Sequence, residues 1–229
     1  MRGKGANAYW EQNHVPQMVL HPAYPGGAIT RAVSSQIDLA PTVLALTGKP
    51  ATDVARAGAD LKGRDLCRVL SAPGQVTANT VRPAALFNYN MFSYLDASWF
   101  APLVQVADSK EPMVEKAARL VELQPDFKNR GAIRSIFDGR YRFSRYFSPL
   151  DFNLPTTYEA LIAKNELEIY DLQEDPQETR NLALDGKAKA ELFMGLNEKL
   201  NARIDEEVGV DDGKFLSLLH GYWYPARFI

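Results

Sequence analysis

A regular spacing of leucines marks residues 185–208 as the clearest amphipathic segment of the chain. Leu192, Leu196, Leu200 and Ile204 recur at every fourth position, and Glu, Lys and Asn residues occupy the positions between them. This spacing places the apolar side chains on one side of an α-helix. The pattern therefore predicts a long helix that covers a sheet.

Alternation with a period of two predicts several strands. Asp138-Gly139 lies between β-branched and aromatic residues over 133–146, which is a strong hairpin signal because the favoured turn needs positive φ at both central positions. Polar and aromatic residues alternate over 140–145, which predicts a strand with one solvated face. Residues 84–89 and 167–172 predict two further strands.

The first part of the chain predicts a strand followed by a helix. Residues 15–20 form a short apolar run between prolines, typical of a buried strand. Residues 38–48 carry helix signals: Asp38 can cap the first turn, Pro41 falls within it, and Gly48 suits the end. Shorter helices are predicted at 61–70 and 111–123. A strand followed by a helix is typical of an α/β layer.

Composition and charge argue against several kinds of binding partner and cofactor site. The 229 residues are 46% apolar and 24% charged, with a net charge of −2 and scattered basic residues, which argues against nucleic-acid and membrane partners. The sole cysteine, Cys67, excludes an intrachain disulfide and is interpreted as a buried, inert thiol. The first residues do not resemble a secretory signal, so the chain as written is expected to be cytoplasmic, although a longer parent could be periplasmic.

Four segments occur in a characteristic order along the chain. They are Gly3-Lys4-Gly5 with Tyr9-Trp10-Glu11 and Val15-Pro16, then Asp38 to Leu44, then Ile133 to Phe143, and last Glu168 to Ala183. Together they resemble type I sulfatases of the alkaline phosphatase superfamily, and the last segment is similar to the recurrent family stretch ELYDLxxDPxExxNLA. The order and spacing of the four segments carry the resemblance, which spans residues 3–183.

The resemblance implies an α/β fold of the alkaline phosphatase type. Residues 1–80 would form the end of the large mixed sheet of the catalytic domain, and residues 81–229 a subdomain with a small antiparallel sheet and a covering helix. In such enzymes a cysteine is converted to formylglycine, whose hydrate attacks sulfur, while calcium and basic side chains neutralise the sulfate oxygens. An oxygen nucleophile can approach an anionic ester only in a site lined with positive charge.

The resemblance carries one catalytic residue over to this chain, Lys4, whose family counterpart contacts sulfate; the alternative is a solvated loop lysine. His14 and His21 flank the predicted strand and are candidates for the substrate site, with a structural role as the alternative. Cys67 departs from the nucleophile motif Cys-x-Pro/Ala-x-Arg. The calcium ligands of the complete enzyme are expected upstream, so that this chain alone binds no metal.

The resulting hypothesis is the C-terminal part of a sulfatase that hydrolyses sulfate esters of a small molecule or glycan, inactive as this isolated chain. One alternative is part of a phosphonate or phosphodiester hydrolase of the same superfamily. The other is a non-catalytic remnant or binding module. If partner strands of the large sheet are absent, the exposed apolar residues are expected to favour self-association. The aromatic stretch 222–228 is expected to pack against the body of the protein, with the lining of a substrate entrance as the alternative.

Overall fold

The structure is a computed structural model. It describes residues 7–24, 26–90, 97–123, 126–151 and 154–210, and the backbone of two strands within 216–225. Lys4 and the side chains of the aromatic stretch 222–228 lie outside the described residues, so the predictions made for them are not tested by this structure.

The described elements are helices followed by, and interleaved with, short antiparallel strands. The α-helices are α1 (Trp10–Asn13), α2 (Leu39–Ala45), α3 (Ala51–Ala57), α4 (Cys67–Ser71), α5 (Ala97–Asp108), α6 (Met113–Glu122), α7 (Tyr158–Lys164) and α8 (Ala190–Glu207). The strands are β1 (Ala85–Asn90), β2 (Ala132–Phe137), β3 (Tyr141–Phe147), β4 (Glu166–Asp171), β5 (Leu216–Leu219) and β6 (Tyr222–Pro225). A 3₁₀ helix at Gln36–Asp38 leads into α2, and another at Leu182–Lys189 leads into α8.

Strands β1 to β4 form one antiparallel sheet in sequential order. The predicted hairpin is confirmed, but its turn lies one residue later than predicted. The backbone N–H of Asp138 donates to the carbonyl of Tyr141 at 3.1 Å, so Gly139 and Arg140 occupy the two central positions. Gly139 alone has positive φ there, at 97°, as in turns that need glycine only at the first central position.

Helix α8 covers one face of this sheet, as the leucine spacing predicts. Removal of these apolar side chains from water is the main stabilising contribution of the contact. The predicted antiparallel sheet with a covering helix is therefore confirmed. The core between them contains Ala84, Ile136, Phe143, Leu161, Leu167, Ile169, Leu182, Phe193, Leu196, Leu200 and Ile204.

The prediction that β3 has one solvated face is wrong. Arg142 and Ser144 on one face and Arg145 on the other are all buried. On the α8 side, Arg145 donates to the side-chain oxygens of Asn197 at 2.8 Å and Asn201 at 2.9 Å. Buried polar groups of this kind are tolerated because they find hydrogen-bond partners. The alternation of residue types along β3 thus reflects two buried environments.

The strand predicted at residues 15–20 is absent from this part of the structure. These residues belong to no helix or strand, and Met18 and Leu20 are 94% and 91% exposed. A strand requires a neighbour to pair its N–H and C=O groups, and no described strand lies beside this segment. Its exposed apolar side chains leave the expectation of self-association open.

The helix predicted within 38–48 is confirmed as α2, while other helices differ from the predictions. Within 61–70 only α4 is helical, and neither α3 nor α5 was predicted. The predicted helix 111–123 corresponds to α6, which begins directly after Pro112. These short segments depend on packing more than on local propensity.

Asp38 binds three segments together, a different role from the predicted cap. Its carboxylate accepts the backbone N–H groups of Ser35 and Arg64, both at 2.8 Å, and the buried guanidinium of Arg82. Arg82 also pairs with Glu207 at the end of α8, at 2.5 Å. Burial raises the pKa of the Glu207 carboxyl, and Arg82 opposes this effect. These contacts cross the predicted division between residues 1–80 and 81–229, which stays a prediction.

Gly63 lies where the loop after α3 passes closest to the 3₁₀ turn. A Cβ at this position would overlap the backbone carbonyl of Ile37. We therefore expect Gly63→Ala to lower the free energy of unfolding by about 1–3 kcal/mol, because the backbone must move to make room. Urea unfolding of the chain measures this change. Gly74→Ala is the control, since a Cβ there meets nothing within 4 Å; equal stability of the two variants would contradict the close approach.

Candidate functional site

The segment that follows the Lys4 loop is anchored on the sheet face opposite α8. It consists of residues 7–14 and includes the one-turn helix α1. Ala8 is buried and its backbone N–H donates to the Tyr146 hydroxyl at 3.2 Å. The segment is therefore held from its start, four residues after Lys4.

Glu168 on β4 receives two hydroxyl groups, one from the sheet and one from the segment. The Tyr146 hydroxyl donates to Oε2 at 2.7 Å, and the Tyr9 hydroxyl donates to Oε1 at 3.0 Å. Burial raises the pKa of the Tyr146 hydroxyl, and the neighbouring Glu168 carboxylate raises it further. Tyr146 therefore stays protonated, which lets it donate to Glu168 while accepting from Ala8.

Glu178 provides the second anchor. Its Oε2 accepts the backbone N–H of Trp10 at 3.0 Å, and its carboxylate forms an ion pair with Arg142 on β3. Both Glu178 and Arg142 are buried. Burial lowers the pKa of Arg142 to about 10, so its guanidinium remains positive at neutral pH and requires a negative partner.

The backbone of Glu178 is in the left-handed region, with φ of 53°. This conformation is uncommon for a residue with a long side chain and costs about 1 kcal/mol or more. Asp175 holds the surrounding turn: its carbonyl accepts the Glu178 N–H at 3.1 Å, and its carboxylate accepts the Arg180 N–H at 2.8 Å. The turn thus keeps the Glu178 carboxylate directed at Trp10 and Arg142.

Asn181 fixes the far end of the same turn against β4. Its side-chain amide donates to the carbonyl of Leu167 at 3.0 Å, and its oxygen accepts the N–H of Ile169 at 3.0 Å. The same oxygen accepts the N–H of Ala183 at 3.0 Å at the start of the following 3₁₀ helix. A single amide therefore pairs backbone groups of the sheet edge and caps the next element.

Aromatic rings also contribute to the contact between the segment 7–14 and the sheet. The Trp10 ring meets the edge of Phe137 at 5.3 Å between centroids, and the His14 ring stacks on Trp10 at 4.0 Å and 16°. His21 lies in a separate turn, where its Nδ1 accepts the N–H of Ala23 at 3.2 Å. The structure therefore places His14 at the end of the anchored segment and His21 in a local turn. Their assignment to a substrate site stays a prediction.

Cys67 is half-buried at the start of α4. Burial raises the pKa of its thiol, although a hydrogen bond with Tyr24 acts in the opposite direction. The prediction of a buried thiol is wrong, since Cys67 is half-buried. A raised pKa leaves less thiolate at neutral pH, as expected of an unreactive thiol.

Other features of the described residues bear on metal and membrane binding. Within this part of the chain no group of three or more His, Cys, Asp or Glu side chains is placed to hold a metal ion. No helix found there combines the length and the apolar character required to cross a bilayer.

Glu168, Glu178 and Asn181 lie within the motif 168–183, and no individual role was predicted for them. For Glu168 and Glu178 the sole signal was their place in this stretch, because their partners in the N-terminal segment lie far away along the chain, whereas Asn181 binds backbone groups within 14 positions. Glu168 and Tyr9 are 159 positions apart, and Glu178 and Trp10 are 168 apart.

No family model matches the chain, and no curated protein does. Among solved structures, BT4656 in complex with its substrate D-glucosamine-2-N,6-O-disulfate is 21% identical with a TM-score of 0.43, covering 80% of this chain and 28% of that one. BT1596, a 2-O GAG sulfatase, is 16% identical with a TM-score of 0.43, covering 79% and 26%. The phosphonate monoester hydrolase of Agrobacterium radiobacter is 20% identical with a TM-score of 0.34, covering 73% and 25%. The chain is similar to parts of these structures and spans about a quarter of their length.

Proposed function

We propose that this chain is the C-terminal portion of a sulfuric ester hydrolase, in which Lys4 contacts the sulfate group. One observation carries the proposal. The motif that begins with Lys4 and the motif over 168–183, which resemble sulfatases separately, meet through the bonds of Tyr9 to Glu168 and of Trp10 to Glu178. Two motifs distant in sequence thus form one structural unit.

This unit supports a positioning role for the sheet. Glu168 and Glu178 hold the segment immediately after Lys4, so the loop that carries the ammonium group starts from a fixed point. An ammonium is a compact charge suited to a tetrahedral anion, and Gly3 and Gly5 allow close approach of the backbone. Electrostatic stabilisation depends on such prior placement of charge, because no reorganisation is then needed during reaction.

Lys4 supplies positive charge, and residues 7–14 orient it. Calcium in the complete enzyme would neutralise charge on the sulfate oxygens. The described residues offer no ligand set that fits this ion, and we place its ligands and the nucleophile in the preceding part of a longer polypeptide. A sulfated small molecule or glycan is the proposed substrate class.

The proposal predicts that the isolated chain does not hydrolyse sulfate esters. Lys4 alone can attract a sulfate but cannot attack it, since a charge without a nucleophile leaves the sulfur–oxygen bond intact. The assay incubates purified chain with 4-nitrophenyl sulfate and follows 4-nitrophenol release. Turnover that co-purifies with the chain and disappears in Lys4→Ala would contradict this expectation.

The function itself is tested on the polypeptide that joins this chain to the in-frame coding sequence preceding it. We expect hydrolysis of 4-nitrophenyl sulfate in preference to 4-nitrophenyl phenylphosphonate, measured as the ratio of kcat/KM values. A preference for the phosphonate ester would assign the chain to the alternative hydrolase class. Absence of both activities in a folded, extended polypeptide would favour a non-catalytic protein.

A further inference from the structure

A cleft of about 440 Å³ lies between strand β1, the end of α8 and the loops before and after α3, and none of its lining residues belongs to the anchored segment. Its apolar lining includes Ile37, Leu61, Leu86 and Val208. Ile37 and Leu61 are each 39% exposed, and Val208 is 42% exposed. The volume falls within the roughly 300–1,000 Å³ that is typical of sites for small organic molecules. The cleft can therefore hold the apolar body of a small ligand.

Glu207, the last residue of α8, brings a buried carboxylate to this cleft. It belongs to the lining, yet its side chain is only 6% exposed. Its Oε1 accepts a hydrogen bond from Nη1 of Arg82 at 2.5 Å. Its Oε2 accepts no hydrogen bond from any residue in the described part of the chain. Because buried polar atoms are normally hydrogen-bonded, this oxygen is an acceptor available to a ligand.

The negative charge of Glu207 is only partly compensated. Arg82 directs Nε and Nη2 at Asp38 and Nη1 alone at Glu207. Burial raises the pKa of the Glu207 carboxyl, and Asp38 and Glu206 act in the same direction, while Arg82 and Arg203 oppose them without cancelling the effect. A further positively charged donor would therefore stabilise the ionised carboxylate.

The other charged groups near the cleft are engaged elsewhere or balance each other. Glu206 forms ion pairs with Arg64 at 2.8 Å and with Arg203 at 2.5 Å, so both guanidinium groups are directed at Glu206. Asp60 and Lys62 also line the cleft, but both are exposed and their charges are opposite. Neither group changes the net charge beside Glu207, which leaves its second oxygen to a donor from outside the chain.

We propose that this cleft binds a small primary amine with a branched aliphatic body, whose ammonium group donates to Oε2 of Glu207. The aliphatic body would lie against Ile37, Leu61 and Val208. An ammonium has three N–H donors and no acceptor, which matches a carboxylate oxygen that lacks a donor. A carboxylate ligand of the same shape is repelled by Glu207. This site does not depend on the proposed enzymatic function.

Three ligands with one carbon skeleton test the chemistry of the site. Isoamylamine, isoamyl alcohol and isocaproate are titrated into the full chain at neutral pH, and Kd is measured from the shifts of backbone amide signals in NMR spectra. Isoamylamine is expected to bind saturably with one site per chain. Its Kd should be lower than that of isoamyl alcohol on the order of ten-fold, because a charge-assisted hydrogen bond is stronger than a neutral one. Isocaproate should not bind.

Two variants test the residues of the site. Glu207→Gln retains an oxygen for Arg82 but removes the charge, and it should raise Kd for isoamylamine on the order of ten-fold. Leu61→Lys places an ammonium in the cleft without altering the Glu207 ion pair, and it should abolish binding. Val114→Lys is the matched control for the added charge, since it lies at an 81% exposed position of α6, and its Kd should be unchanged.

Leu61→Lys keeps the proposal testable if Glu207→Gln does not fold, as judged by circular dichroism. Absence of saturable binding of isoamylamine would overturn the proposal. An unchanged Kd in folded Glu207→Gln or in Leu61→Lys would also overturn it, as would equal affinity for the amine and the alcohol. A Kd that rises with protein concentration would assign the cleft to a second copy of the chain and overturn the ligand site.

Discussion

Lys4→Ala is expected to lower kcat/KM for sulfate esters by about 10²–10³-fold in the extended enzyme, equivalent to roughly 3–4 kcal/mol of transition-state stabilisation. The substitution removes a positive charge from the place where negative charge is proposed to develop on the sulfate oxygens. Steady-state kinetics with 4-nitrophenyl sulfate measures the loss. Lys4→Arg should restore part of the activity, because a planar guanidinium does not reproduce a compact ammonium between two glycines.

Two controls separate this effect from a change in stability. Lys49→Ala removes an exposed lysine from the loop after α2 and should leave kcat/KM within about two-fold, as surface substitutions usually do. The melting temperature of Lys4→Ala should match that of the parent enzyme. Near-normal kcat/KM in Lys4→Ala would remove Lys4 from the site, and a large fall in melting temperature would favour a structural role.

The elements that the sequence predicts well are those determined by neighbours in the chain. The hairpin 133–146 was located by Asp138-Gly139, and α8 by leucines four positions apart, since both patterns act within a few residues. The turn was misplaced by one residue because Asp138 could be either a central or a flanking position. Its backbone bond to Tyr141 decides for the flanking position.

Burial of β3 on both faces could not be inferred from alternation. Polar residues such as Arg142 and Ser144 are usually solvated, and a period of two gives no information on distant polar partners. The partner of Arg142 is Glu178, and the partners of Arg145 come from α8. A sequence pattern predicts which residues share one face of an element. Whether that face is buried, and which polar partners it meets, depends on the tertiary fold.

The prediction of a strand at 15–20 was wrong because apolar residues there are exposed, whereas in β3 polar residues are buried. The apolar composition of this segment was interpreted as a buried strand, but a strand is defined by pairing with another strand. Met18 and Leu20 are exposed in this structure. Apolar composition therefore predicts that a segment favours burial, but it does not predict which neighbouring strand would pair with it.

The sequence predicts the motif at the candidate site, but it does not predict which contacts the side chains of this motif make. The stretch 168–183 was recognised by its resemblance, yet nothing local indicates that Glu168 binds Tyr9 or that Glu178 binds Trp10. The left-handed backbone conformation of Glu178 could not be predicted from the sequence either, since glutamate rarely adopts it. These contacts follow only from the docking of the N-terminal segment on the sheet.

Glu178→Ala is expected to lower the free energy of unfolding of the chain by about 3–5 kcal/mol, because it leaves Arg142 buried and positive without its carboxylate partner. Urea denaturation of the purified chain measures the loss. The exposed Glu174 in the same turn is the matched control, and Glu174→Ala should change stability by less than about 0.5 kcal/mol. Hydrogen exchange of the Trp10 amide should accelerate in Glu178→Ala alone, since that amide donates to Glu178.

Two companion variants distinguish the lost charge from the unusual backbone. Arg142→Met combined with Glu178→Ala should recover most of the stability, because no uncompensated charge then remains in the interior. Glu178→Gly should be less destabilising than Glu178→Ala by about 1 kcal/mol, because glycine adopts φ of 53° without steric cost. If the double variant is no more stable than Glu178→Ala, the loss arises from the contact with Trp10 and not from the buried ion pair. If Glu178→Ala unfolds at the same urea concentration as the unmodified chain, Glu178 does not anchor the segment after Lys4.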